Sequence, residues 1–500
     1  MTDPFVGDPV VVGEGSASLA DLEAVARANA TVSVASAAVS RIERARAIVT
    51  RALASGEAVY GLTTGLGERV SERLPEDVLQ RYSIDTLRAR ANSVGAPLPV
   101  DIVRGTMFVR LTGLAAGYAG ASLEAASALR DWLNAGLHPR IPGSGSIGAS
   151  DLCVMAHLGL ALMGEGQVVT ADGWQPVGDA LAAHGMSALT PSPKDGLALC
   201  GASSVAVATA GLATRDIYKL YARALDACAL SMEAFGANLS PLLPDVAAAH
   251  AVPGQQMASE KLYGRFAGSV LLDRNNARRV QDPLSFRCAG VNFGALEAAL
   301  DFMHPVLAAE INLSGDNPAV LVDSEVMLST GNFQTPLLTL GSELLTKAVA
   351  QQAASAVSRA AALLTGRLSD LPHILRTEHG GSSGFAPLMK VADALLAELR
   401  HLSQPVSYEA RWTADGVEDE LTNSHLSAQN LSEAVIRWRL LVALEMMVAT
   451  EAMERRNRDA QLPESSRALM KAVRSEVEPL GADRPLGVEM ERLAATLAEA

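Results

Sequence analysis

Hydrophobic residues along this chain recur mainly at helical spacing. Alanine-rich amphipathic segments cover residues 19–55 and 75–136, and long apolar segments cover 341–365, 385–402 and 426–456. Residues that recur every three or four positions share one face of a helix. The pattern therefore predicts a mainly α fold, a long antiparallel helical bundle in which loops carry the polar residues.

Strand signals are few and short. The sequence "GQVVTADG" followed by "WQPVG" alternates apolar and polar residues around a glycine-containing turn, and it predicts one small hairpin. We expect two parts. The first is a loop-rich N-terminal lobe over residues 1–200, and the second is a central helical bundle with C-terminal helices over 201–500.

Charge narrows the range of partners. The 500-residue chain has a formal net charge of -14 and no notable cluster of lysine or arginine, so nucleic acid and anionic membranes are not expected partners. Residues 196–214 form an uncharged run rich in Gly, Ser and Thr between Asp195 and Arg215. This run predicts a buried helix rather than a membrane span.

The cysteines and the first residues indicate where the protein is located, and the spacing of possible ligands indicates whether it binds a metal. The chain has 4 scattered cysteines with no CxxC pair, a pattern typical of reduced thiols. No cluster of His, Asp or Glu has metal-ligand spacing, so no metal is expected. The first residues lack a basic segment followed by an apolar one, and we expect a cytoplasmic protein.

Four polar, glycine-rich breaks interrupt the helical pattern: Tyr60–Gly67, Gly145–Asp151, Arg279–Arg287 and Glu378–Phe385. Loops held by a rigid scaffold commonly carry function. Each break also has a structural interpretation, as an interface tyrosine, a salt-bridging arginine or a simple turn.

Taken together and in order, these segments resemble the histidine and aromatic amino acid ammonia-lyases. "YGLTTGLG" resembles the catalytic tyrosine loop of that family, and "GSIGASDL" resembles its Ala-Ser-Gly loop. Later landmarks are "KDGLAL", "VQDPLSFRC", "SGDNP", "GNFQ", "GGSSGF" and "DGVEDE". The resemblance extends from about Asp21 to Arg456. It implies an α-helical homotetramer whose active sites combine residues from several subunits.

The resemblance also implies a chemistry. Tyr60 would remove a proton from the carbon β to the substrate carboxylate, and Arg287 would hold that carboxylate in a fork-shaped contact. In the family, the Ala-Ser-Gly triplet cyclises to methylidene-imidazolone, an electrophile that captures the substrate amine. A free amine is a poor leaving group, and the electrophile accepts its electrons.

Three positions depart from the family pattern. Ala149 and Ser150 are present, but Asp151 stands where the glycine of the triplet is expected. Gly201 stands in place of an asparagine that supports the electrophile, and Leu284 in place of a tyrosine of histidine ammonia-lyases. Because aspartate adds a Cβ and a charge where glycine permits a contorted backbone, we expect no cofactor. A methylidene-imidazolone formed from Ala149, Ser150 and Asp151 is the alternative.

The rest of the implied site is retained. Gln281, Asn317 and Phe333 keep their motif positions as substrate-binding residues, and Glu418 matches a glutamate that contacts imidazole. Arg90 replaces an imidazole-binding histidine, and Lys390 follows "GGSSGF". Both are substrate-binding candidates, and both also fit a solvated helix surface or a salt bridge between subunits.

These departures lead to a functional hypothesis. A trimethylammonium group leaves as neutral trimethylamine without an electrophile. The sequence therefore predicts a carbon–nitrogen lyase like the ergothionase branch of the family, which converts ergothioneine to thiourocanate. Two alternatives stay open: a conventional ammonia-lyase or aminomutase, and a non-catalytic scaffold of the same fold.

Overall fold

The structure, a computed structural model, describes residues 8–170, 173–377, 381–407, 412–457 and 462–499. Its helices are α1 Leu19–Ala26, α2 Ser36–Ser55, α3 Glu76–Leu79, α4 Tyr82–Arg90, α5 Val100–Ala115, α6 Leu123–Ala135, α7 Leu152–Leu162, α8 Val177–Ala183, α9 Asp195–Cys200, α10 Ser204–Phe235, α11 Pro244–Ala248, α12 Gln255–Tyr263, α13 Leu284–Arg287, α14 Ala289–Asn312, α15 Pro336–Leu364, α16 Gly366–Ser369, α17 Ala386–Leu402, α18 Ser424–Arg456, α19 Glu464–Glu476 and α20 Leu486–Glu499. The mainly α prediction is confirmed.

Within the described residues, the strands are short and form four small sheets. They are β1 Val10–Val12, β2 Val32–Val34, β3 Val94–Pro97, β4 His138–Pro139, β5 Pro142–Ser144, β6 Gln167–Thr170, β7 Gly173–Pro176, β8 Ala319–Leu321 and β9 Val326–Leu328. The predicted hairpin is confirmed, because β6 and β7 pair antiparallel with Gln167 opposite Pro176. Strands β1 and β2 pair in parallel, and β3 with β5 and β8 with β9 pair antiparallel.

The chain forms two compact units that are not consecutive in sequence. The first unit contains residues up to 215, 304–342 and 405–429. The second unit contains 216–303, 343–404 and the residues from 430 onward. The division at residue 200 that the sequence favours stays a prediction about sequence segments.

Helix α5 is the central helix of the first unit. Every residue from Ile102 to Ala115 is buried, because the helix is apolar on nearly all sides. Both of its arginines have partners inside the core, although Nη2 of Arg104 and Nε of Arg110 have none among the described residues. Arg110 forms an ion pair with Asp316 at 2.9 Å, and Arg104 donates to the Val25 carbonyl at 2.7 Å.

A second buried ion pair lies in the other unit. Arg359 of α15 and Glu445 of α18 are 2.5 Å apart, with both side chains 1% exposed, and the Ser231 hydroxyl donates to the same carboxylate at 2.8 Å. Buried charges persist in proteins when they are paired in this way.

The run Asp195–Phe235, which contains α9 and α10 with a short break at 201–203, is long and apolar enough to cross a membrane by length and composition. Its most apolar window is 94% buried within the protein. The segment 196–214, predicted to be a buried helix, lies within this run.

Candidate active site

The Tyr60 loop is held in shape by its own backbone. The amides of Leu62, Thr63 and Thr64 all donate to the Val59 carbonyl, at 3.0 to 3.2 Å. The Tyr60 hydroxyl accepts a hydrogen bond from the Gly67 amide at 3.1 Å. The loop therefore fixes the position of the Tyr60 hydroxyl.

One face of α4 continues the polar region around Tyr60. Tyr82, Thr86 and Arg90 are four residues apart and therefore share that face. Burial raises the pKa of Tyr82, the cations Arg90 and Arg69 oppose this rise, and the negative charge of a Tyr60 phenolate adds to it. The two tyrosines and Arg90 are therefore electrostatic neighbours.

Arg90 differs from the other arginine in the last turn of α4. Arg88 is exposed and its guanidinium contacts the Glu165 carboxylate at 2.5 Å. Arg90 is half-buried, and its guanidinium has no hydrogen bond or ion pair with any residue that the structure describes. Its charge acts on the Cys153 thiol, whose pKa is raised by burial, lowered by Arg90 and raised by Glu418.

Glu418 ends a tight turn. The amide of Glu418 donates to the Thr413 carbonyl at 3.2 Å, and the Thr413 amide donates back at 3.1 Å. The Thr413 hydroxyl also donates to the Glu418 carbonyl at 3.0 Å and lies 3.4 Å from its carboxylate. This turn, Ala414–Gly416, packs against Gly67–Arg69, so the segments that carry Glu418 and Tyr60 are in contact.

The loop that resembles the Ala-Ser-Gly loop is anchored at its first residues. The Thr422 hydroxyl donates to the Gly148 carbonyl at 2.8 Å, and Ala149 pairs with Gln334 as an isolated β-bridge. Gly148 has φ +83°, and a Cβ there would lie 2.2 Å from the Thr422 oxygen. Only glycine fits this position.

Asp151 makes hydrogen bonds within its own loop and to residues at the start of α10. Its carboxylate accepts from the Ser146 hydroxyl at 2.7 Å and from the Ala206 amide at 3.0 Å. Its own amide donates to the Ala202 carbonyl at 3.0 Å, and its side chain is fully buried. Asp151 therefore links the loop to the first turn of α10.

Gly201 is confined by its surroundings. The residue follows the end of α9, and its amide donates to the Leu197 carbonyl at 2.7 Å. A Cβ at Gly201 would lie 2.8 Å from that same carbonyl oxygen. An asparagine therefore does not fit here without movement of the backbone.

Two further predicted residues lie in the first unit. The Phe333 carbonyl accepts from the Ser203 hydroxyl at 3.3 Å, beside the residues that contact Asp151. The Asn317 side chain accepts a hydrogen bond from the Thr330 amide at 2.9 Å. This bond connects the segments on either side of the hairpin formed by β8 and β9. The structure thus brings Tyr60, Arg90 and Glu418 together in the unit that also contains the Asp151 loop.

The remaining predicted residues belong to the second unit. Gln281 is exposed, Arg287 is half-buried at the end of α13, and Lys390 is exposed on α17. Leu284 is 61% exposed. Within the segment 378–385, residues 378–380, including the first glycine of "GGSSGF", lie outside the described residues.

Sequence reasoning missed Tyr82, Cys153 and Thr413. The spacing of Tyr82, Thr86 and Arg90 was a usable signal, because residues four apart lie on one helix face. Cys153 and Thr413 gave none, because their neighbours come from distant parts of the chain. Among the described residues, no group of three or more His, Cys, Asp or Glu side chains has a metal-binding arrangement.

Comparison with known proteins adds to this geometry. The sequence pattern of the aromatic amino acid lyase family matches residues 17–475. The chain belongs to this family. A histidine ammonia-lyase of Anaeromyxobacter sp. (strain K) is 33% identical over 495 residues, covering 96% of this chain and 97% of that protein. A histidine ammonia-lyase of Streptomyces griseus is 33% identical over 488 residues, covering 96% and 95%.

Solved structures agree in fold. The ergothionase of Treponema denticola, in complex with desmethyl-ergothioneine sulfonic acid, has a TM-score of 0.93 and 27% identity, covering 98% of this chain and 99% of that chain. The histidine ammonia-lyase of Trypanosoma cruzi has a TM-score of 0.91 and 27% identity, covering 98% and 94%. The protein is a carbon–nitrogen lyase of the ammonia-lyase family.

These relatives correct one prediction. The expectation of a cofactor-free enzyme is wrong, because the family of these histidine ammonia-lyases uses methylidene-imidazolone. That expectation was based on a few substituted positions, chiefly Asp151 and Gly201. The similarity to a histidine ammonia-lyase, in contrast, extends over 96% of the chain.

The residues at the position of this group match it only in part. Ala149 and Ser150 occupy the first two positions, and the Ser150 backbone is left-handed with φ +60°. Ring closure uses the amide nitrogen of the third residue, and here the Asp151 amide donates to Ala202. The third position does not fit the ring in this arrangement.

Proposed function

We propose that the protein eliminates trimethylamine from ergothioneine, the betaine of 2-thiohistidine, and gives thiourocanate. The observation that carries this proposal is the position of Arg90. A cation without an ion pair to any described residue stands in the polar region of Tyr60, where histidine ammonia-lyases carry an imidazole-binding histidine. An electron-rich ring sulfur is a suitable partner for such a cation.

The proposed roles follow the elimination. Tyr60 takes the proton from the carbon β to the carboxylate, and the electrons of that C–H bond form the new double bond. The bond between the α carbon and nitrogen breaks, and its electron pair leaves with neutral trimethylamine. Glu418 accepts a ring N–H, and Arg90 stabilises the negative charge that spreads toward sulfur in the transition state.

The substrate carboxylate is assigned to Arg287, whose planar guanidinium suits a two-pronged contact. Gln281, Asn317, Phe333 and Lys390 complete the proposed substrate-binding set. We also propose a homotetramer, as the family resemblance implies, and a cytoplasmic location, as the scattered cysteines favour.

The neighbour from Treponema denticola supports a sulfur-containing substrate, since the ligand in its structure is a sulfonic acid derived from ergothioneine. A second candidate function is ammonia release from histidine. It is favoured by sequence relatives, which are histidine ammonia-lyases at 33% identity.

One assay separates these functions. The purified protein is incubated with ergothioneine, with its sulfur-free betaine and with histidine, and trimethylamine and ammonia are measured. We expect trimethylamine from ergothioneine, with a kcat/KM at least about tenfold above that of the sulfur-free betaine. Ammonia from histidine as the main product would replace the proposal with the second candidate.

Absence of both amines would overturn both candidate functions. The intact mass of the same sample records whether the triplet has lost two waters. A mass short by two waters would show that Ala149, Ser150 and Asp151 have cyclised, whichever amine is released.

A further inference from the structure

The turn that precedes Glu418 is left-handed through three consecutive residues. Ala414, Asp415 and Gly416 have φ angles of +49°, +54° and +84°. Two of these residues carry a Cβ, and the left-handed region is unfavourable for such residues. A conformation of this kind persists only where the surrounding structure holds it in place.

The pair formed by Thr413 and Glu418 closes this turn. Two backbone hydrogen bonds, at 3.1 and 3.2 Å, join the two residues as an isolated β-bridge. The Thr413 hydroxyl adds a further contact, since it lies 3.0 Å from the Glu418 carbonyl oxygen and 3.4 Å from the Glu418 carboxylate. One hydroxyl therefore contacts both the backbone and the carboxylate of Glu418.

Gly416 fixes the middle of the turn. Its amide donates to the Thr413 carbonyl at 3.0 Å. A Cβ at Gly416 would lie 2.9 Å from the ring of Trp412, so only glycine fits this position. The Thr413 carbonyl therefore accepts from both Gly416 and Glu418, and Thr413 takes part in the contacts that hold each part of the turn.

The same turn contacts the segment that holds the proposed base. Ala414–Gly416 packs against Gly67–Arg69, and the Gly67 amide donates to the Tyr60 hydroxyl at 3.1 Å. Both segments belong to the first unit. A displacement of the turn therefore changes where Glu418 lies relative to Tyr60.

The carboxylate of Glu418 has acceptor capacity to spare. Glu418 is half-buried, and the Thr413 hydroxyl is the one hydrogen-bond donor to its carboxylate among the described residues. An ionised carboxylate has about four acceptor sites. The carboxylate lies in the polar region of Arg90, because both charges act on the pKa of the Cys153 thiol. It can therefore accept from a substrate while Thr413 holds it.

We infer that Thr413 is a positioning residue, which holds Glu418 so that its carboxylate meets a ring N–H of the substrate. This inference rests on the proposed function, in which Glu418 accepts that N–H. In this role Thr413 acts through Glu418 and needs no contact with the substrate. Without the Thr413 hydroxyl, the carboxylate has more orientations available, and the preference for a ring that carries an N–H falls.

The test measures the binding of two unreactive acids that differ in the ring. Imidazolepropionate carries a ring N–H and phenylpropionate carries none. Calorimetry at about pH 8, where imidazole is neutral, gives the Kd of each acid without turnover. Thr413→Val removes the hydroxyl and keeps the shape. We expect it to weaken the binding of imidazolepropionate about fivefold and that of phenylpropionate less than about twofold.

Two further variants complete the test. Thr413→Ser restores the hydroxyl, and we expect it to recover the ring preference of the parent to within about twofold. Thr50→Val is the matched control, because it makes the same change at an exposed threonine of the same unit, whose hydroxyl donates to the Arg46 carbonyl at 3.1 Å. We expect Thr50→Val to keep the ring preference of the parent.

Equal weakening of both acids in Thr413→Val would overturn the inference, because it would show that Thr413 only supports the fold. An unchanged ring preference would overturn it as well, and so would a failure of Thr413→Ser to restore that preference. The same holds if the parent does not prefer the imidazole ring. These outcomes are separate from the product assay, because a protein that releases no trimethylamine from ergothioneine can still show the ring preference.

Discussion

Asp151 and Glu310 are two acidic residues near the same loop, and their surroundings are opposite. The Asp151 carboxylate is fully buried and accepts from Ser146 and Ala206. The Glu310 carboxylate lines a cavity and has no hydrogen-bond partner among the described residues. Buried polar groups are nearly always satisfied. The Asp151 carboxylate therefore holds the backbone around it, whereas the half-buried Glu310 carboxylate makes no such contact among the described residues.

Two arginines show the same contrast. Arg359 is 1% exposed and paired with Glu445 at 2.5 Å. Arg90 is half-buried in the polar region around Tyr60, and its guanidinium has no such pair within the described chain. A paired charge of this kind contributes to the packing of its unit, whereas an unpaired one in a polar site is suited to a substrate.

Tyr60→Phe gives the largest effect that we expect. The Tyr60 hydroxyl accepts one hydrogen bond, from the Gly67 amide. Loss of a general base reduces turnover at least about a hundredfold, while the loop keeps its backbone hydrogen bonds. The measurement is kcat for trimethylamine release, with circular dichroism to check the fold.

Tyr82→Phe is the control for this experiment, since it removes a second phenol from the same region. We expect its kcat to stay within about tenfold of the parent. If Tyr60→Phe kept near-parent activity, Tyr60 would not be the base.

Asp151→Ala tests whether the hydrogen bonds that the Asp151 carboxylate accepts stabilise the fold. The substitution leaves the Ser146 hydroxyl and the Ala206 amide without their acceptor. We expect a loss of about 2 to 3 kcal/mol in the free energy of unfolding. Urea denaturation followed by fluorescence measures the change.

The matched control is Asp85→Ala. Asp85 is partly exposed and pairs with Arg81 at 2.9 Å on the surface of α4, so its removal costs under about 1 kcal/mol. Equal stability of the two variants would show that the Asp151 hydrogen bonds contribute little.

The sequence predicted the parts of this site that depend on local pattern. The glycine-rich loop with Tyr60 and the long helices α15, α17 and α18 were recognisable because turns and helical periodicity are encoded locally. The direction of Arg90 was not predictable, since the same helix spacing fits a solvent-facing or a site-facing residue.

Other features depended on contacts between distant segments. Asp151 was interpreted only as a substitute for glycine, although Ser146 and Ala206 explain its charge. The prediction of a cofactor-free enzyme was wrong because it gave a few local substitutions more weight than a similarity that extends over nearly the whole chain. The placement of Arg287 and Lys390 in a different unit from Tyr60 also follows from tertiary contacts.

Arg90→Gln tests whether an unpaired cation binds substrate. We expect KM for ergothioneine to rise about tenfold, which corresponds to about 1.4 kcal/mol, with a smaller change in kcat. Steady-state kinetics of trimethylamine release measures both constants.

Arg88→Gln removes the neighbouring arginine, which contacts Glu165 on the surface. We expect its KM to equal that of the parent. An equal change in both variants would point to the general charge of α4, and an unchanged KM in Arg90→Gln would remove Arg90 from the substrate site.

Lys194 is a buried charged group without a partner, and we expect its burial to lower the stability of the folded protein. It is 2% exposed, and its ammonium has no hydrogen-bond partner among the described residues. Burial lowers the pKa of Lys194 to about 8 from an ordinary value of 10.5, against the opposing charge of Asp316. Between these values the unfolded chain binds more protons than the folded chain. The stability of the protein therefore rises with pH in this window.

The expected gain from Lys194 between about pH 7.5 and 8.5 is roughly 0.7 kcal/mol, from the linkage of the two pKa values. Urea denaturation of the parent and of Lys194→Met at both pH values isolates this contribution, because every other titrating group is common to the two proteins. Lys194→Met should lack the gain, and it should be more stable than the parent at the lower pH because it no longer buries an unpaired ammonium. The same pH dependence in both proteins would mean that the Lys194 ammonium is satisfied inside the folded protein. Its burial would then cost no stability.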